Sequence, residues 1–399
     1  VGHDFRPDYL RLGDVVARLG HPPVAALTAT ASPPVRAEIA ARLELTDPVE
    51  VVRGFDRPNL DLRVVRHTDG VAKRRAVVDD VVAGPRPALV YVARRKAAER
   101  YAEALRGRGV VAAAYHAGLP AGERERVHRD FLGGRLDVVV AASAFGMGID
   151  KPDVRAVVHA DPPGSIDAYY QEIGRAGRDG LPATAVLHYR PEDLGLRRFF
   201  SAARAAVDDV AALLAALRAR PGPAAEAELR VPGLTSRRLT RALQALLDVG
   251  AARRIDGGVV AVGRRAVADV TTAVRERAAA RQRVELTRVE MMRGYAEVTT
   301  CRRAFLLGYF GEHHPGGCGG CDVCRRGADL VGAATAPGRA PSVAFAPHDR
   351  VVHARWGEGT VLRVEEDRVT VFFPDQGYRT LDIDVVAERG LLREPPEDG

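Results

Sequence analysis

Lysine is almost missing: three residues in 399. The formal charge of +7 is therefore carried by arginine. Its planar fork suits bidentate phosphate contact, although a coding bias toward Arg and Ala gives the same composition. No run of about 18 apolar residues occurs, so nothing in the sequence reads as a membrane span. The start, VGHDFRPDYL, lacks the basic head and apolar core of a signal peptide. It also lacks an initiator Met, so the chain reads as a portion of something longer. Cysteine is scarce: four residues, all between 301 and 324. That excludes a disulfide framework and leaves a local cluster. The loop G-x-x-x-x-G-K-[ST], which cradles nucleotide phosphates, is absent. Any nucleotide site here must be completed from elsewhere.

What is present is ordinary for a globular chain, at 46% hydrophobic and 28% charged. The length allows about two to four domains. Charge is uneven: +4 over 1–200, +7 over 201–330 and −4 over 331–399. The middle is the candidate polyanion surface, or else a solvated basic face. Up to residue 200 the sequence alternates short apolar runs with helical stretches. A short strand is expected within AALTATASPP (25–34), with a helix behind it. Further strands are expected at ALVYVA (88–93), VVAAAY (110–115), LDVVVAAS (136–143), AVVHADPP (156–163) and ATAVLHYR (183–190). IDAYYQEIGRAGR (166–178) reads as helix. Such alternation predicts an α/β fold with a mostly parallel sheet covered on both faces, and ligands beyond the carboxyl ends of the strands.

After residue 200 the pattern turns helical. VDDVAALLAALRAR (207–220) and LTSRRLTRALQALLDVG (234–250) are amphipathic. Two short strands flank Asp256-Gly257, a hairpin signal. Helix, helix, β-ribbon outlines a winged helix, a unit that binds duplex DNA or serves as a spacer. Residues 267–310 are strongly helical. Cys301 is followed after sixteen residues by Cys318-G-G-Cys321-D-V-Cys324. Four thiolates at this spacing match a structural tetrahedral zinc, with an iron–sulfur cluster as the alternative. His313 and His314 read as loop residues. Residues 331–347 form an Ala/Pro linker. The last segment alternates apolar and polar residues, as in a small antiparallel barrel or sandwich.

The stretch YYQEIGRAGRDG (169–180) sets Arg175 and Arg178 three apart, one helical turn, so both should point the same way. They could neutralise phosphate charge developing in transfer, or simply pair with Asp179 or Glu172. LTATA (27–31), ALVYVARRKAAER (88–100), AAAYHAGL (112–119), VVVAASAFGMGIDKPDVRAVVHADPP (138–163) and YYQEIGRAGRDGLPA (169–183) together resemble the second motor lobe of RecQ-family helicases. The cysteine pattern behind CRRAFLLGYFGE resembles that family's zinc-binding subdomain. The resemblance implies an ATP-dependent 3′–5′ DNA helicase of repair or recombination, with ATP and Mg2+ held between two RecA-like lobes. Arg178 would be the arginine finger and Arg175 its companion. Gln171, Gly148 and Asp150 would line the nucleotide cleft, and Thr28 and Thr30 would relay between ATP and DNA. Single-stranded and duplex DNA would be the partners. His3, Phe5, Arg6, His116 and Phe145 would lie along the DNA, with Arg237, Arg238 and Arg241 (and Arg253, Arg254) on the winged unit. Without the phosphate loop, the 399-residue chain is expected not to hydrolyse ATP by itself.

The implied plan is 1–45 for the end of the first lobe and a connector, 46–200 for the second RecA-like lobe, and 205–266 for a winged-helix-like α+β insertion. A helical zinc-binding subdomain (267–330), the linker, and a small Tudor/SH3-like β domain (348–393) complete it. The winged unit ahead of the cysteines departs from the family's usual order. The tail, VVHARWGEGTV (351–361), resembles the C-terminal module of UvrD/PcrA helicases, which would make 348–393 a surface for a protein partner; otherwise Trp356 is core. The rival reading is a non-catalytic DNA-binding adaptor derived from a helicase lobe; a translocase acting on RNA is a third.

Overall fold

The computed structural model describes residues 12–28, 30–142, 150–195, 207–314, 316–328, 345–347, 349–364 and 367–395. His3, Phe5, Arg6, Phe145, Gly148 and most of the 331–347 linker lie outside them. The chain divides into two compact units. One gathers Val1–Arg197, Thr287–Pro374 and Tyr378–Gly399, and the other Arg198–Leu286 and Asp375–Gly377.

The first unit opens with helices α1 (Leu12–Arg18) and α2 (Pro33–Arg42). Pro33 and Pro34 occupy the first turn of α2, where the missing amides cost nothing. The alternating region that follows is β1 (Leu60–Arg66), α3 (Gly70–Ala83), β2 (Ala88–Val92), α4 (Arg95–Arg106), β3 (Ala112–Tyr115), α5 (Ala121–Leu132), β4 (Val138–Ala142), β5 (Ala156–His159), α6 (Ile166–Ile173) and β6 (Ala183–Tyr189). The six strands form one sheet in the order β1-β6-β5-β2-β4-β3, and all its pairs are parallel. Central strands β2 and β4 are buried at every position, as a sheet covered on both faces requires. The expected α/β fold is therefore present.

Three details differ from the sequence reading. Residues 22–28 and 30–32 carry no strand, since no described strand supplies a ladder for their backbone groups. Strand β1 was not foreseen: its burial alternates, since it is the sheet's edge. Helix α6 stops at Ile173, and Gly174 opens a series of turns to Gly180, so neither Arg175 nor Arg178 is helical.

In the second unit, α7 (Val207–Arg218), α8 (Ser236–Asp248) and the antiparallel hairpin β7 (Ala252–Ile255) and β8 (Gly258–Ala261) share one apolar core. Helix α9 (Val267–Glu297) begins in this unit and ends in the first. Back in the first unit come α10 (Arg302–Tyr309) and α11 (Asp322–Ala328). A five-stranded sheet of order β12-β11-β10-β9-β13 follows, from β9 (Arg350–His353), β10 (Gly357–Val364), β11 (Arg368–Phe373), β12 (Gly377–Asp382) and β13 (Leu392–Arg393), with α12 (Ile383–Arg389) before the last strand. This small domain has its own core of Val351, Val361, Val371, Phe373 and Ile383, against which Trp356 packs. Its Leu362 and Tyr378 instead join the core shared by the parallel sheet, α9 and α10. Among the described residues no helix is long and apolar enough to cross a membrane.

Candidate functional site

Two assemblies stand out in the first unit: the arginine turn after α6 and the cysteine cluster.

Ser165 caps α6 by accepting from the Ala168 amide, 3.2 Å away. Ile166, Tyr169 and Ile173 bury one face of the helix, and Gln171 is exposed on the other. The turn behind it sends its two arginines different ways. Arg175 is buried and faces the phenol of Tyr91 on β2. Burial pushes that phenol far up, and the hydrogen-bonded Arg175 guanidinium draws it partly back. Arg178 stays in solvent and pairs through Nη1 with Asp150 Oδ1 at 2.9 Å. The carboxylates first considered as partners are engaged elsewhere: Asp179 with Arg155 at 2.5 Å, and Glu172 with the buried His159 at 2.7 Å. The structure thus brings Arg178 to Asp150, two residues assigned to the same cleft from widely separated motifs. Asp150 is 87% exposed, so the pair is worth about 0–1 kcal/mol and a phosphate can displace it.

The turn is also held by residues that sequence reasoning missed. Arg57 Nη2 donates to the carbonyls of Ala176 (2.9 Å) and Gly177 (3.0 Å), and Asn59 Nδ2 donates to those of Gly177 (2.8 Å) and Leu181 (2.9 Å). The available signal was the run FDRPNL ahead of a strand. Gly177 has φ +58°, and a Cβ there would sit 2.4 Å from Asn59 Nδ2. Only glycine fits both constraints.

Other candidates are placed as follows. Thr28 Oγ1 donates to the Thr30 carbonyl at 3.0 Å, a local turn in irregular chain. His116 is buried, with Nε2 3.1 Å from Glu99 Oε1. In the second unit Arg237, Arg241 and Arg253 are exposed. Arg238, also exposed, pairs with the buried Asp209 of α7 at 2.9 and 2.5 Å, and Arg254 pairs with Glu226 at 2.6 Å.

The four cysteines converge, with all sulfurs within 4.8 Å of one another. Cys301 stands just before α10, Cys324 lies inside α11, and Cys318 and Cys321 come from the loop between the helices. Gly319 at φ +65° turns that loop back on itself. Cys318 and Cys324 sulfurs are 4.0 Å apart, close to the roughly 3.8 Å that tetrahedral Zn–S bonds of about 2.3 Å require. A hydrogen bond from Cys301, helped by one from the Cys324 amide and opposed by burial, draws the Cys321 thiol below its ordinary range. A soft, all-sulfur tetrahedral donor set fits zinc. Neither His313 nor His314 joins the group. The cluster is tied to its surroundings by charge. Arg302, 1% exposed, forks onto Asp322 (Nη2 to Oδ2, 3.0 Å) and donates to the Tyr295 carbonyl at 2.8 Å. The Leu62 amide of β1 donates to the Gly320 carbonyl at 3.1 Å, so the cysteine loop lies along the sheet's edge.

Comparison with known proteins places both assemblies. Residues 73–180 match the helicase conserved C-terminal domain, and residues 262–325 match the RecQ zinc-binding domain. The ATP-dependent DNA helicase RecQ of Pasteurella multocida is 35% identical over 323 residues, 81% of this chain and 39% of that protein. The protein of the same name from Bacillus subtilis is 44% identical over 201 residues, half of this chain and 33% of that protein. The chain spans less than half the length of these relatives.

Proposed function

The chain belongs to the RecQ helicase family, of whose members it carries the C-terminal portion, and from that premise we propose that it supplies the second motor lobe of an ATP-dependent DNA helicase. The observation that carries this reading is the exposed Arg178–Asp150 pair backed by the buried Arg175. Arg178 reaches the γ-phosphate of ATP held mainly by a first lobe and stabilises charge as it develops; Arg175 orients the turn from behind. Mg2+ bound with the nucleotide would screen the phosphates. Gln171 and Asp150 line the same cleft. The four cysteines hold a structural zinc, which fixes α10 and α11 against β1. Arg237, Arg241 and Arg253 meet DNA phosphates, while Arg238 stabilises its own fold. Translocation is 3′ to 5′, in repair or recombination.

The test uses a protein in which this chain is joined to a lobe bearing a phosphate loop. Arg178→Ala should lower ATP turnover by about 10³-fold or more while single-strand DNA affinity stays within twofold or so. Near-normal turnover would remove the finger assignment. The 399-residue chain alone should show no turnover above background.

A further inference from the structure

The segment Gly54–Leu60 is held from two sides. On one side, Arg57 spends its guanidinium on the carbonyls of Gly174 (3.3 Å), Ala176 and Gly177, and Asn59 on those of Gly177 and Leu181. These carbonyls lie at and beyond the C-terminus of α6, where the helix leaves acceptors unmet and its dipole favours a cation. On the other side, the segment is gripped by residues next to the cysteines. Arg303, two residues after Cys301 and 6% exposed, donates to the carbonyls of Leu60 (2.7 Å) and Pro58 (3.4 Å) and pairs with Asp56 at 3.3 Å. Glu312 accepts from the Phe55 amide at 2.6 Å. The Phe55 ring stacks on Phe310 with centroids 4.7 Å apart, and the Tyr170 hydroxyl of α6 donates to the Phe55 carbonyl.

We propose that Arg57 and Asn59 are positioning residues for the turn bearing Arg175 and Arg178, and that the four-cysteine segment acts on that turn through them. Two bonds from Asn59 and three from Arg57 fix the path of the carbonyls between Gly174 and Leu181. Arg303 and Glu312 in turn fix where Arg57 and Asn59 begin. Loosening the cysteine segment therefore loosens the arginines without touching them. The catalytic consequence rests on the nucleotide reading above; the mechanical link does not.

The experiment is hydrogen exchange on the zinc-loaded 399-residue chain. In Arg57→Ala, the amides of 174–180 should exchange at least tenfold faster. Zinc content and the exchange of β2 and β4 should hold at wild-type values. Arg57→Lys keeps the charge but loses the fork, and should recover only part of the protection. If Arg57→Ala proves unable to fold, Asn59→Ala, which removes two bonds, is measured the same way. A turn exchanging at the wild-type rate in the folded variant overturns the positioning role. Arg303→Lys should also speed exchange at 174–180, and should add little once residue 57 is Ala. Wild-type exchange there in Arg303→Lys overturns the link to the cysteines. Neither result depends on Arg178, whose assay tests the nucleotide reading separately.

Discussion

Arg302→Ala should be among the most damaging single changes in the cysteine segment. Arg302 is buried, and its side chain makes a two-pronged pair with Asp322 plus a bond to the Tyr295 carbonyl. It neighbours Cys301, and Asp322 neighbours Cys321, so the pair ties the two ends of the cysteine loop together. Truncation leaves the Asp322 carboxylate, 13% exposed, without its main counter-charge. Breaking a buried pair from one side costs about 3–5 kcal/mol. With a urea slope of about 2 kcal/mol per molar, the midpoint for the first unit should fall by roughly 2 M. Replacing both partners, Arg302→Met with Asp322→Leu, should recover much of the loss, because no charge is then stranded. Acid offers an independent check. Burial pushes the Asp322 carboxyl up, but the Arg302 bond and charge outweigh it and hold the group below its ordinary value. The extra stability over Asp322→Asn should thus be complete above the ordinary carboxylate range and vanish as pH falls through the folded-state value. Urea titrations of zinc-loaded protein, followed by near-ultraviolet circular dichroism across pH, measure both effects. An Arg302→Ala protein within about 1 kcal/mol of wild type would refute the argument.

Elemental analysis should find one zinc per chain, and Cys321→Ser should lose it together with the helical signal of the cysteine segment. Tyr309→Phe should cost about 1–3 kcal/mol in urea unfolding, since Tyr309 donates to the buried Asp167 at 2.6 Å and meets the Tyr378 hydroxyl at 2.8 Å. Gly177→Ala should destabilise by about 1–3 kcal/mol, from the left-handed backbone and the approach to Asn59; a neutral effect would mean the turn relaxes freely.

The central strands were legible because ALVYV and VVVAA are unbroken apolar runs, the mark of strands buried on both faces. LDLRVVR was not, because at a sheet edge only alternate residues are buried and charged ones interrupt the run. The reading of 166–178 as one helix missed that Gly174 and Gly177 end it; the small residues left no side chain whose burial would have marked the stop. Arg238 was offered as a DNA contact because its helix face is basic. Its pairing with Asp209, twenty-nine residues earlier, has no local signature. The partner-surface reading of 348–393 did not foresee that Leu362 and Tyr378 pack into the first unit's main core.

The sequence by itself determined the cluster of four cysteines and the central strands of the parallel sheet. Cysteine spacing and apolar runs are local patterns, and local geometry satisfies them. Tertiary structure alone decided that Arg175 turns inward to Tyr91, that Arg178 meets Asp150, and that Arg57 and Asn59 hold the turn between them. These contacts join residues from about 30 to 120 positions apart, and only the pairing of β1 with β6 in one sheet, with α6 and its turn leading into β6, brings such distant groups within hydrogen-bonding reach.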